Sequence, residues 1–466
     1  MASTIWSPGG LSVLGETSPE RIIANSFKIL EKIGMRVEND EICARLVAGG
    51  ARLAGTSGRL TFPESILRER IDLSSKVDWS PRPVTVASAA EIYQGMYLDP
   101  ADGLPKEWTE TRLQDYLAVV DICENVGTAH MLGCPLAESP IMLQPLYERF
   151  FAWKYGYRPG GSIWDSDLLD RLERIHHIYA EETGVDAQAV FQGTVWLISP
   201  LRFGAVEASQ FLHFAKRGFR VHVGSNGALG GAFPVTLGGA LSLQLAELLF
   251  IHILENAYFG ITTIHLSTQL AATEMRTGAL QYGRPEMILA NLAMSQIARQ
   301  MGAQFQGHCG LSDAKVPGHE AGVQKISSAF GNIMACGEAY VASGLLATDE
   351  ICSPVQLLLD DEALGTLARV ARGITAEKDD LAFDAIVEEV ESGFFLASEH
   401  TALRFREELW QTRFWSTSMY SAWSQNGSRI DTDLARERSL DAIRTAEPRI
   451  SRLTPSCEAR LLAAMK

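Results

Sequence analysis

His308, Cys309, Ser312, Asp313 and Lys315 crowd into the run HCGLSDAKVP at 308–317, just after a strand-like segment (303–306) and just before a helix-like one that begins near His319. Imidazole, thiol, carboxylate and ammonium groups at such a junction can hold a ligand or move a proton. In a barrel or an open α/β sheet the loops after strand C-termini converge on one face, and ligands sit there. The equivalent position after other strand-like segments is taken by Cys134, by Ser162 and Trp164, and by Thr194 and Trp196. It is also taken by His222, Ser225 and Asn226, by His265, Ser267 and Gln269, by Gln306, and by Ser343. Together these residues describe a polar pocket with aromatic walls, the usual lining of a small-molecule site. Taken singly, each also has a plainer reading, as packing or as a satisfied hydrogen bond.

Other motifs carry less. His308 and Cys309 are adjacent, with no third metal ligand nearby in sequence, so they make a poor zinc site. The glycine-rich run 227–231 lacks dinucleotide spacing and reads as a loop. His176 and His177 fall mid-helix, as a solvated or core-edge pair. There is neither a Gly-x-Ser-x-Gly elbow nor a Walker loop.

The elements that must position these groups follow from periodicity. Ser18, Pro19 and Glu20 supply a cap, a first-turn proline and a first-turn acid, and Ile22, Ile23, Phe27, Leu30 and Ile33 then share one face up to Gly34. Helices near 39–47 and 63–71 complete an N-terminal helical extension, and loops at 79–83 and 99–105 close it, so the region is taken as 1–105. From about 127, strand-like runs at 129–134, 160–164, 189–196, 220–224, 261–267, 303–306 and 339–343 alternate with helical segments. Those segments are 143–154, 167–182, 205–217, 237–255, 285–301, 320–335 and 354–371. Such βα alternation predicts a parallel sheet. With an eighth unit expected near 393–400, it fits a (β/α)8 TIM barrel over 106–425, followed by a helical tail over 426–466.

Composition sets outer bounds. The chain has 466 residues, 46% of them hydrophobic and 21% charged, with a formal net charge of −15. That acidity argues against nucleic acid as a partner and mildly favours a cationic ligand. No apolar run follows Met1, and the apolar stretch 237–264 is broken by Gln244, Glu247, His252, Glu255 and Asn256. The expectation is therefore a buried helix and no membrane span. Seven cysteines without a Cys-x-x-Cys pair read as reduced thiols of a cytoplasmic protein, in which the Asn426-Gly427-Ser428 sequon carries no meaning.

Several segments, in order, resemble the trimethylamine methyltransferase superfamily: LEKIGMRV (30–37), LTFPESIL (60–67), SDAKVPGHEAGVQK (312–325), SPVQLLLDDE (353–362), FLASEHT (395–401) and YSAW (420–423). The resemblance covers most of the chain. It implies a TIM barrel with an N-terminal helical extension. It also implies transfer of a methyl group from a methylated amine to the cobalt of a separate corrinoid protein, as in methanogenesis-type methylamine metabolism. Two departures refine this. No position is pyrrolysine, which is similar to the branch containing the glycine betaine methyltransferases. A corrinoid-binding Asp-x-His-x-x-Gly motif is absent, so cobalamin would arrive on a partner protein docked over the barrel mouth.

A quaternary ammonium offers no N–H, so recognition falls to aromatic faces and carboxylates. On this reading Trp164 and Trp196 form cage walls and Asp313 is the best-placed anion, unless Lys315 pairs with it structurally. His222, His265 and His308 hold a betaine carboxylate through charge-assisted bonds. Asn226, Gln269, Gln306 and Ser343 complete the substrate lining; Glu399 and His400 stand further off. No residue is assigned as a covalent catalyst, and a homo-oligomer is expected. The alternative is an amine-binding or sensing barrel without methyl transfer. A lyase or hydrolase would call for a metal cluster or paired carboxylates, and the sequence displays neither.

Overall fold

The computed structural model describes residues 3–466 except 56, 57, 94, 132, 134, 135 and 378. Eight parallel strands alternate with helices: β1 Thr85–Ile92, β2 Ala129–Met131, β3 Arg158–Pro159, β4 Gly193–Trp196, β5 Val221–Gly224, β6 His265–Thr268, β7 Gln304–Gly307 and β8 Glu338–Ser343. They hydrogen-bond as a four-stranded sheet in the order β3-β2-β1-β8 and as the pairs β4-β5 and β6-β7. The last strand thus pairs with the first, with Glu338 opposite Thr85 and Ser343 opposite Ala90. Two backbone bonds bridge gaps between these groups: Thr194 N–H to Gly161 O at 2.8 Å, and Gly227 N–H to Gln269 O at 2.8 Å.

The pleat sorts the side chains. Val221, Val223, Leu266, Phe305 and Val341 are buried with the helices, while His222, His265, Gln304, Gln306 and Tyr340 lie on the accessible face. The helix Leu237–Phe259 is apolar on nearly every side because it is enclosed: its most apolar window is 83% buried. Among the described residues it is the one helix long and apolar enough to cross a membrane.

Three N-terminal helices, Ser18–Lys32, Asp40–Ala48 and Glu64–Leu73, fall where periodicity puts them. Asn39 caps the second, accepting from Ile42 N–H at 3.0 Å. Gly34 ends the first helix at φ +72°, and a Cβ added there would stand 2.2 Å from Leu60 O. Met35 and Leu60 then exchange two backbone bonds of 2.8 Å, which couples LEKIGMRV to LTFPESIL.

Two expectations are corrected. The segment 1–105 is not helical throughout: it also supplies β1, the longest of the eight strands. Its sequence, TVASAAEI, is rich in small residues and hides a strand that packs closely on both edges. The strand expected near 393–400 is instead a 3-10 turn, Phe395–Ala397, and the start of the helix Glu399–Glu408. Ser398 accepts from Thr401 N–H at 3.2 Å, a helix cap that outweighs the apolar run before it.

The acids of SPVQLLLDDE explain that motif. Asp360, Asp361 and Glu362 are consecutive on the helix Pro354–Arg372 and all are buried, so their side chains diverge by about 100° each. Asp360 accepts from Lys325 Nζ at 2.7 Å and Gly344 N–H at 2.8 Å. Asp361 accepts from the backbone N–H groups of Glu124, Asn125 and Val126 just before β2, and pairs with Arg413. Glu362 accepts from Arg413 N–H at 2.9 Å. One helix turn therefore ties the end of β8, the approach to β2 and the C-terminal segment together.

Candidate functional site

An antiparallel hairpin, Leu270–Thr273 with Leu280–Gln281, follows β6 and delivers Tyr282 to the strand C-terminal end. Tyr282 is buried, and its hydroxyl shares hydrogen bonds of 3.1–3.2 Å with the Asn226 amide. Its ring meets His308 edge-on, with centroids 5.6 Å apart. Tyr93, directly after β1, joins the group electrostatically: burial first, then Asp349, Tyr282 and Glu148, push its phenol up to about 12. Burial also raises the Tyr282 phenol. Burial raises the Asp349 carboxyl, with Glu350 adding to the effect. The Asp349 side chain makes no hydrogen bond or ion pair among the described residues. Asn226, Tyr282 and His308 thus touch in loops that follow β5, β6 and β7, and Tyr93 and Asp349, in loops that follow β1 and β8, are coupled to Tyr282 electrostatically.

The run 308–317 is rigidly held. His308 O accepts from the buried Asn291 amide at 2.8 Å, and Gly310 N–H donates to Ser328 Oγ at 3.0 Å. Gly310 has φ +82°, and a Cβ there would stand 2.7 Å from Val341 Cα, so only glycine lets this loop cross β8. Asp313, which is buried, accepts from Tyr282 N–H and Gly283 N–H at 2.8 Å each. Its carboxylate is committed to the hairpin and is not a free anion facing a ligand. Lys315 is exposed and forms no ion pair with Asp313. Cys309 donates to Tyr340 O at 3.1 Å, and burial raises its thiol to about 12.

The other residues singled out from the sequence spread along the strands. Trp196 ends β4, 42% exposed, with its indole across Gly224 of β5, where a Cβ would be 2.4 Å from the ring. Gly224, beneath the indole, lies two residues before Asn226. Trp164 is half-buried ahead of the helix Leu169–Thr183. His265 opens β6 and His222 is second in β5, so both lie toward the strand N-terminal ends, not the C-terminal ends expected. Burial and the nearby Arg220 lower both imidazoles. Burial lowers His308 to about 4. All three shifts favour the neutral imidazole, so a charge-assisted bond would require a bound carboxylate to offset them. Ser343 is buried and bonded to Ser88 Oγ at 2.7 Å, and Ser225 donates to the buried Glu247 at 2.5 Å. Gln306 sits on the accessible face of β7, and Gln269 is half-buried. Glu399 and His400 belong to an outlying helix, and Cys134 lies outside the described residues.

Sequence reasoning missed Tyr93, Tyr282 and Asp349. It also missed a second constellation on β1, β2 and β8: Glu91, buried, accepts from Tyr340 Oη at 2.5 Å and faces His130 Nδ1 at 3.3 Å. The period-2 position of Tyr340 in 339–343 was a usable signal for it. Asp170, Glu173 and His213 bring ligand atoms within 4.8 Å of one another on the outer helices. Arg217 already stands 3.1 Å from Glu173 there and supplies the positive charge.

Comparison with known proteins agrees with the motif order. The family model described as trimethylamine methyltransferase (MTTB) matches residues 8–464. A glycine betaine methyltransferase of Desulfitobacterium hafniense (strain Y51) is 25% identical over 429 residues, 89% of this chain and 88% of its own length. An L-carnitine:corrinoid methyltransferase of Eubacterium limosum is 21% identical over 414 residues, 84% of each chain. A trimethylamine methyltransferase of Methanosarcina thermophila is 23% identical over 264 residues, 57% of this chain and 54% of its own. Sequence motifs and family model thus converge, and the chain belongs to the trimethylamine methyltransferase (MTTB) family.

Proposed function

We propose that this protein is a corrinoid-dependent methyltransferase that takes a methyl group from a betaine-like quaternary amine and passes it to cob(I)alamin on a separate corrinoid protein. The observation that carries the reading is the hub at Tyr282. It touches His308 and Asn226 and is coupled electrostatically to Tyr93 and to a half-buried Asp349 without a partner among the described residues, at the C-terminal ends of parallel strands, within this family. Aromatic faces contribute about 0.5–2 kcal/mol each to holding a cation that cannot donate a hydrogen bond. Asp349 ionises fully once such a cation lies beside it. Asn226 and the neutral His308 remain as hydrogen-bonding groups for a carboxylate on the same substrate, and Trp196 forms the wall on the β4 side. A quaternary ammonium leaves as a neutral amine, so these residues need only bind, orient and exclude water.

The corrinoid supplies the low-valent cobalt that accepts the methyl group. Docking of its carrier fits the loops around the site, where Val235, Val316 and Met275 are exposed at 70%, 66% and 65%. As to architecture, we read the eight strands as closing into a (β/α)8 barrel, supported by the β8–β1 pairing. The barrel would include β1 together with 106–425, and 426–466 would form a C-terminal helical tail.

Incubating the protein with free cob(I)alamin and glycine betaine, proline betaine, carnitine, choline or trimethylamine, and following corrinoid methylation by absorbance, tests the reading. Methylation with at least one zwitterionic quaternary amine is expected, and Trp196→Ala or His308→Ala should abolish it while the protein stays folded. Binding without methylation would favour a sensor, and full turnover in both variants would remove the site assignment.

A further inference from the structure

A TIM barrel is normally solid, because layers of branched aliphatic side chains fill its lumen. When these eight strands are read as a closed barrel, their lumen-facing positions hold something else. On β7 and just beyond it, Gln304, Gln306 and His308 are exposed or half-buried, whereas Ala303, Phe305 and Cys309 are buried. On and beyond β6, His265, Ser267 and Gln269 alternate in the same way with the buried Leu266, Thr268 and Leu270. His222 of β5 is exposed between the buried Val221 and Val223. The β6 and β7 rows start at the first residue of their strand and run past its last, and the β7 row ends on His308 of the candidate site.

The side chains of His222, His265, Gln304 and Gln306 make no hydrogen bond or ion pair among the described residues. Enclosed amides and imidazoles without partners are costly unless water reaches them, so a lumen lined by these groups is wet. Burial and the nearby Arg220 favour the neutral form of both imidazoles. This wall therefore offers hydrogen bonds in place of a fixed charge that would trap or repel an ion. On the other side, β1 sets only Ala87 opposite Tyr340 of β8. The Tyr340 ring is 41% exposed, and Glu91, which is buried, ties it to β1 by accepting from its hydroxyl at 2.5 Å. His130 Nδ1 stands 3.3 Å from the second Glu91 oxygen and completes that anchor.

We propose that the lumen is an open polar passage through which a small quaternary ammonium molecule moves between the strand N-terminal ends and the candidate site. The passage itself rests on the barrel reading, and its use by a substrate rests on the functional one. A carrier docked over the strand C-terminal ends covers the mouth, and a second opening lets the amine exchange while the carrier stays in place.

Cysteine labelling on the full chain tests the passage without any turnover. The probe is a methanethiosulfonate reagent bearing a trimethylammonium group, itself a small quaternary ammonium ion. Labelling is located by peptide mass spectrometry against the wild-type background, which includes the buried Cys309. Gln306→Cys should be labelled, and adding Gln304→Trp, nearer the strand N-terminal end on the same row, should slow that labelling about tenfold or more. Thr85→Trp, at the start of β1, is the second plug if Gln304→Trp does not fold. No labelling of Gln306→Cys means a filled lumen, which overturns the passage and leaves the barrel intact. Labelling that a folded plug does not slow also overturns it, and Gln304→Cys then separates the causes. Slower labelling there than in Gln306→Cys means entry from the mouth alone, and equal labelling means that the strands enclose no lumen, which removes the barrel reading. A protein that shows the passage and methylates no corrinoid loses the functional reading alone.

Discussion

The loops after β7 and β8 each carry an aspartate removed from bulk water, and the two carboxylates are used in opposite ways. Asp313 is buried, with one oxygen on Tyr282 N–H and the other on Gly283 N–H. Asp349 is half-buried, its carboxyl pushed up by burial and by Glu350, with no hydrogen bond among the described residues to offset the cost. The loops themselves are stitched together, since Thr348 N–H donates to Ser312 O at 2.6 Å and Ala347 N–H to Ala314 O at 2.7 Å. One carboxylate is spent on architecture, and its neighbour accepts no hydrogen bond among the described residues. The difference teaches that, in this site, an acid's availability depends on how many backbone N–H groups face it and not on its depth alone.

The sharpest way to break the comparison is Asp313→Ala. It leaves one buried and one half-buried N–H group without acceptors and should cost about 2–4 kcal/mol of stability. Denaturant unfolding followed by fluorescence measures it. A loss below about 1 kcal/mol would show that the hairpin holds Tyr282 without this clamp.

Asp349→Asn is the counter-experiment. It should leave the unfolding midpoint unchanged or slightly higher, because it removes a carboxyl whose charged form is disfavoured by burial, and it should weaken binding of a quaternary amine about tenfold, or 1.4 kcal/mol. The pH dependence has a definite sign. The folded-state pKa of Asp349 is raised, so the native protein holds this proton in a range where the unfolded chain has released it. Its contribution to stability therefore falls as pH rises from the ordinary aspartate pKa toward the raised one. Cation binding runs the other way: it is strong above the raised pKa and is lost as pH falls through it. Titration calorimetry across that window, on the wild type and on Asp349→Asn, checks both. A pH profile shared by the two would exclude Asp349 as the counter-ion.

Why the sequence revealed one aspartate and not the other follows from what each signal contains. Asp313 stands in a motif at a strand-to-helix junction, which marks its position; its partners are backbone amides of residues thirty positions earlier, which carry no side-chain signature. Tyr282 could not be read because the hairpin that delivers it is an insertion between β6 and the helix Pro285–Met301, and the alternation treats such an insertion as loop. Tyr93 was lost with β1, whose central run Ala87–Ala90 has no β-branched or aromatic residue, unlike β5, where Val221 and Val223 alternate. The βα alternation from 129 to 372 was legible because long helical segments separate short apolar strands at regular spacing. His222 and His265 were placed at the wrong ends of their strands: β6 begins at His265, four residues later than the apolar run suggested.

The smallest perturbation separates the two functions that meet in Tyr282. Its backbone N–H belongs to Asp313 and the clamp, whereas its hydroxyl belongs to Asn226 and the site. Tyr282→Phe keeps the clamp and the edge contact with His308 and removes only the hydroxyl, so stability should change by about 1 kcal/mol or less. The freed Asn226 amide loses its orientation, and KM for a zwitterionic amine should rise severalfold with kcat little altered, because orienting a bound carboxylate is a binding effect shared by ground and transition states. A fall in kcat with unchanged KM would mean instead that the hydroxyl acts on the methyl-transfer step itself. The line between clamp and site would then have to be redrawn through this one side chain.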